Sequence, residues 1–152
     1  MKFFLFLITV LFCTPLFSKE VKWDTLKTLQ FDPKTKKPVI KDDLKIALAD
    51  KDLTIKGFMM PLDFESREVT EFLFMPYIPS CMHVPPPPPN QLILVKMEKG
   101  KKVKPSFAPV EVKGKLSLDS NSDLESSYKL QATALKEIKD FTPSTLPPGG
   151  HP

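Results

Sequence analysis

Five short stretches of the chain carry the apolar patterning of strands. Residues 53–60, Leu-Thr-Ile-Lys-Gly-Phe-Met-Met, alternate apolar and polar and then turn wholly apolar, as a half-buried strand does. Gly57 inside this run predicts a bulge or sharp bend, the means by which a small sheet curls, and Pro61 ends it. Residues 69–75 form a second run, halted by Pro76, and residues 92–97 a third. Residues 110–118 alternate again and carry another mid-strand glycine, Gly114. Residues 127–134 make the fifth stretch, expected to slide into a helix over 135–138.

Ahead of these strands, Trp23, Leu26 and Leu29 fall at helical spacing and predict a short amphipathic turn, with Trp23 anchoring the N-terminus on the core. Residues 31–38, Phe-Asp-Pro-Lys-Thr-Lys-Lys-Pro, read as a turn-rich linker. Residues 44–49 follow Asp42-Asp43 and read as a brief helix or the lead-in to a strand. Five short strands, two of them interrupted by glycine, predict an all-β domain. The expected form is a small, partly open five-stranded barrel of the oligonucleotide/oligosaccharide-binding (OB) type with short flanking helices. The barrel is expected over residues 51–140, after an N-terminal extension over 19–50 and before a disordered tail over 141–152.

Composition sharpens this picture. Seventeen prolines against five glycines in 152 residues argue against a helix-rich protein, because proline breaks helix interiors and central strands alike. Residues 1–18 are a different material: Lys2, an apolar run over 3–12, then Thr14, Pro15 and Ser18 before charged Lys19-Glu20. They predict a secretory signal peptide and a periplasmic protein rather than one that crosses the membrane. Acylation at Cys13, which would anchor a lipoprotein, is the alternative, with the bulky Phe12 before it a poor fit. The net charge of +4 is modest and spread along the chain, apart from Lys99, Lys101, Lys102 and Lys104 around Gly100, which read as a solvated hairpin tip. This balance in an exported chain argues against nucleic acid as a partner.

Without Cys13, Cys81 is the one cysteine left, so no internal disulfide framework is expected. Cys81 and His83 stand two apart in Pro79-Ser80-Cys81-Met82-His83-Val84-Pro85, and on an extended chain such residues face the same way. Thiolate and imidazole are favoured zinc ligands and suit copper too. The flanking prolines restrain the backbone and lower the entropy lost on ordering a site. Two ligands are fewer than a zinc site takes; Asp63, Glu65, Glu71 and His151 are the candidates for the rest, and spacing does not select among them. The competing reading packs Cys81 as a small hydrophobe and bonds His83 to the backbone. A thiol nucleophile with a histidine base would need an orienting group and an oxyanion hole. The stretch has no glycine for that hole, so no enzyme is expected. Residues 85–89, all proline, would extend about 15 Å as polyproline II, a stiff strut along the barrel. Asn90 and Gln91 carry amides able to tie its exit to the sheet and to act as supporting partners of the metal site.

At these residues the chain resembles the bacterial domain of unknown function DUF3299. The resemblance rests on Gly57-Phe58-Met59-Met60-Pro61-Leu62-Asp63, on Glu71-Phe72-Leu73-Phe74-Met75-Pro76-Tyr77, and on the Cys-x-His-x-proline-run-Asn-Gln signature from Cys81 to Gln91. Pro79-Ser80 departs from the Gly-Ala that the family tends to place before the cysteine. The resemblance implies an exported protein with an OB-like barrel, linked to envelope transporters and periplasmic zinc handling. It supplies no catalytic residues. Together these readings predict a non-enzymatic envelope accessory protein. It would bind a transition metal, Zn2+ first, at Cys81 and His83, and serve metal homeostasis or transport beside an ABC-type transporter or another metal-binding protein. The alternative is a metal-free interaction module of an envelope transporter complex.

Overall fold

The computed structural model describes residues 18–79, 84–119 and 126–142. Two short helices, α1 (Trp23–Leu26) and α2 (Asp42–Ala49), accompany strands β1 (Lys19–Glu20), β2 (Gln30–Phe31), β3 (Pro38–Val39), β4 (Leu53–Pro61), β5 (Glu71–Met75), β6 (Ile93–Met97), β7 (Val110–Leu118) and β8 (Tyr128–Glu137). The main sheet runs β1-β4-β5-β6-β8-β7, and β7 pairs back onto β4. Five strands therefore close into the expected barrel. Its pairings are antiparallel except β6 with β8, which run parallel.

Closure depends on β4 serving two partners. Its first half, residues 53–57, pairs with β7, and its second half, residues 58–61, pairs with β5. The change of partner falls at Gly57, where the sequence predicts a bend. A Cβ there would lie 2.6 Å from the Met75 carbonyl oxygen and 3.0 Å from both the Phe74 and Trp23 rings, so only glycine admits this approach. Gly114 marks the second irregularity. Lys113 pairs with Ala134 but Gly114 pairs with Ala132, leaving Thr133 as an extra residue in β8. A Cβ on Gly114 would come within 2.2 Å of the Gln131 carbonyl oxygen.

One expectation is overturned. The helix over residues 135–138 is absent, and β8 continues as strand to Glu137. Leu135, Lys136 and Glu137 pair with Val112, Glu111 and Val110; the edge of β7 offers backbone partners that the local pattern cannot reveal.

Alternation along β4, β5 and β6 sends Leu53, Ile55, Met59, Phe72, Phe74, Ile93 and Val95 into the barrel, all 2% exposed or less. The N-terminal extension completes this core. Trp23 packs on Phe74 with ring centroids 5.5 Å apart and donates its indole N–H to the Lys56 carbonyl at 2.7 Å. Leu26, Leu29, Leu44 and Ala47 join the same buried cluster. The buried Tyr128 hydroxyl donates to the Leu26 carbonyl at 2.7 Å. These contacts seat α1 over the barrel end where β5 finishes and β8 begins. Ser18 donates to the Asp52 carbonyl at 2.6 Å, and β1 adds a parallel strand beside Leu53 and Thr54. The expected linker forms a small hairpin of β2 and β3, whose turn is held by the Asp32 carboxylate accepting the Lys34 and Thr35 amides. Those bonds hold the Asp32 carboxyl below its ordinary pKa, the Thr35 amide first among them. At the far end of the chain Phe141 meets Phe58 edge-on, centroids 5.8 Å apart; the rest of the expected tail, residues 143–152, lies outside the described residues.

Candidate functional site

Cys81 and His83, with Ser80 and Met82, lie outside the described residues, as does His151. The two flanks of that segment are described, and both are fixed. On the entry side, β5 ends at Met75, 1% exposed, and Tyr77 remains buried. The Tyr77 hydroxyl donates to the Pro85 carbonyl at 3.2 Å. This bond ties together the two ends of the segment holding the thiol and the imidazole. Burial raises the Tyr77 phenol above its ordinary pKa, so the donor persists further into the alkaline range than an exposed tyrosine would allow.

On the exit side, the proline run is extended at Pro88 and closes in a 3-10 turn, Pro89–Gln91. Proline fits the opening of such a turn because its missing N–H would have no partner there. The sequence predicts that Asn90 ties the strut to the sheet. Its side-chain N–H2 instead donates to the Lys27 and Leu29 carbonyls, at 3.0 and 3.2 Å, satisfying carbonyls just past the end of α1 that helix geometry leaves free. The sheet is reached through the backbone: the Ser127 amide donates to the Pro89 carbonyl at 2.9 Å, one residue before β8. Gln91 is buried, and among the described residues no buried side-chain nitrogen or oxygen lacks a hydrogen-bond partner. The strut is thus pinned at Tyr77, at α1 and at β8. The type of each residue was readable in the sequence; the partners of Tyr77 and Asn90 were not, since no local spacing links them.

Of the three carboxylates named as candidate further ligands, Asp63 and Glu71 have other work, and Glu65 lies two residues from Asp63 in the same loop. Asp63, in the loop between β4 and β5, accepts the Glu65 amide at 2.9 Å and the Ser66 hydroxyl at 2.5 Å. The Ser66 bond first, then that from Glu65, holds the Asp63 carboxyl below its usual range. Glu71 pairs with Lys96 at 2.8 Å across the β5–β6 ladder. Glu71 opens β5 and the cysteine segment leaves from its other end; four residue steps of strand separate them by about 13 Å. Asp63 precedes β5 and belongs to the Glu71 end. Among the described residues, no three His, Cys, Asp or Glu side chains gather as a metal-holding cluster.

A shallow, mostly apolar groove of about 450 Å³ opens where the strut meets the β2–β3 hairpin, lined by Leu29, Phe31, Pro88, Pro89 and Asn90. Phe31 stands 46% exposed at its edge.

Residues 17–137 match the family described as "Protein of unknown function (DUF3299)". In structure the chain is similar to a DUF3299 family protein (PA4066) from Pseudomonas aeruginosa PAO1, solved by crystallography. The two are 28% identical with a TM-score of 0.55, over 82% of this chain and 99% of that one. No curated protein matches the chain.

Proposed function

Since this chain belongs to the DUF3299 family, described only as proteins of unknown function, we propose its role from its own residues. It is an exported, non-enzymatic accessory protein of the cell envelope that binds a transition metal, zinc first, through the Cys81 thiolate and a neutral His83 nitrogen. The donor set fits a borderline-soft ion. The observation that carries the reading is the Tyr77–Pro85 bond, which restrains both ends of the segment and reduces the entropy lost when its ligands gather. Asp63 and Glu71 are engaged elsewhere and Glu65 shares the Asp63 loop at the Glu71 end of β5; in this reading a second protein's side chain completes the coordination shell. An open shell of this kind suits a protein that hands metal to, or receives it from, a transporter or another metal-binding protein.

Zinc titration of the purified chain against a competing chelator tests this. One equivalent is expected, held more weakly than at a complete three- or four-ligand site and lost in the double variant Cys81→Ala with His83→Ala; unchanged affinity in that variant removes the proposal. The groove beside Phe31 favours a second reading, a metal-free interaction module of an envelope transporter complex. That version predicts a partner retained in the presence of chelator and lost when residues 85–89 are altered.

A further inference from the structure

The loop over residues 98–109, between β6 and β7, has a combination of features that the metal site does not use. Phe107 is 82% exposed, the highest among the described large hydrophobic side chains. The same loop carries Lys99, Lys101, Lys102 and Lys104 against one acid, Glu98, and all four lysines are exposed. Its backbone is firmly set. Lys99 and Gly100 take positive φ of 55° and 66° at the tip. Val103 and Val69 exchange two N–H···O bonds of 2.9 Å, and the Ser106 amide donates to the Met59 sulfur at 3.3 Å. The loop therefore presents one exposed aromatic ring and four exposed cations on a fixed frame. The neighbouring loop, joined through Val69, brings Asp63, Glu65 and Glu68 as well as Arg67, so of these two adjoining loops only the lysine loop is net positive.

We propose that this loop seats the protein on the surface of an anionic phospholipid bilayer, with Phe107 entering the headgroup region and the lysines meeting lipid phosphates. A protein partner fits less well. Stable protein interfaces need roughly 800 Å² per side around an apolar centre and are depleted in lysine. A bilayer needs no matching groove, takes up single aromatic side chains at its interface, and is attracted by each lysine near its surface.

The test uses the full chain carrying Phe107→Trp. The other indole, Trp23, is 2% exposed and hydrogen-bonded, so the parent protein's emission is a constant background to subtract. Vesicles of phosphatidylglycerol with phosphatidylcholine should shift the new indole's emission to the blue, and brominated lipid should quench it. Vesicles of phosphatidylcholine alone, or high salt, should abolish both effects. An apolar N-terminal segment reaching the same vesicles does not move this readout, which reports the loop alone. One cation near an anionic surface contributes about fivefold, so Lys101→Gln, Lys102→Gln and Lys104→Gln together should weaken the response about a hundredfold. Equal response to neutral vesicles, no shift on anionic ones, or an undiminished shift in the triple variant would overturn the proposal. So would a response of the introduced indole to an acidic polypeptide without any to vesicles, which would assign the loop to a protein partner.

Discussion

Tyr128 shows how one side chain binds the N-terminal extension to the barrel. Its ring fills the core at 0% exposure and its hydroxyl donates to the Leu26 carbonyl, 102 residues away in sequence. Burial raises the phenol pKa well above its ordinary value, because an anion there would lose its hydration. A folded-state pKa above the unfolded value of about 10 makes this contribution complete below that pH and progressively lost as pH rises past it. Tyr128→Phe should lower unfolding free energy by about 1 kcal/mol at neutral pH, since the Leu26 carbonyl keeps only the Leu29 amide as a donor. The same variant should lose less stability than the parent between neutral pH and about pH 11, with Tyr77 and Lys56, both also raised, contributing to the remaining slope. Urea denaturation at both pH values reads the difference; parallel losses in the two proteins would refute it.

At the scale of elements, the proline strut is a connector whose rigidity matters only through its end fixings. The proline run sets the path up to the turn at Pro89 at little conformational cost, and Asn90 converts that path into a tie onto the end of α1. Asn90→Ala should destabilise the protein by about 1–2 kcal/mol. Asn90→Asp should cost more, because a carboxylate would face two carbonyl oxygens with no proton to donate. Equilibrium denaturation ranks the two variants, and amide exchange at Ser127 should quicken in both as the strut loosens. β8 illustrates the reverse relation between element and sequence. Residues 135–137, Leu-Lys-Glu, favour helix locally, and the edge of β7 overrides that preference.

Taken as a whole, the molecule is a closed barrel that cannot spare its N-terminal extension. Trp23, Leu26, Leu29 and Leu44 are each 2% exposed or less within one core. Removing a large buried side chain costs about 2–5 kcal/mol, and the net stability of a domain is about 5–15 kcal/mol. A chain cut to residues 51–140, although it retains all five barrel strands, should therefore show no cooperative thermal transition by circular dichroism. A sigmoidal melt matching that of the full chain would show that the extension is dispensable.

The sequence by itself determined what local physics controls. Apolar patterning located the five strands, Pro61 and Pro76 closed the first two, and Gly57 and Gly114 marked where the sheet bends or slips. The soft donors Cys81 and His83 stood out against a stiff frame by chemical type alone. Only the tertiary structure decided who partners whom: the division of β4 between β5 and β7, the extension of β8, and the tie of Tyr77 to Pro85 and of Asn90 to α1. The reason is physical. A residue's identity constrains its own backbone and the face it presents, whereas pairing and register are chosen by contacts between distant segments competing for the same core.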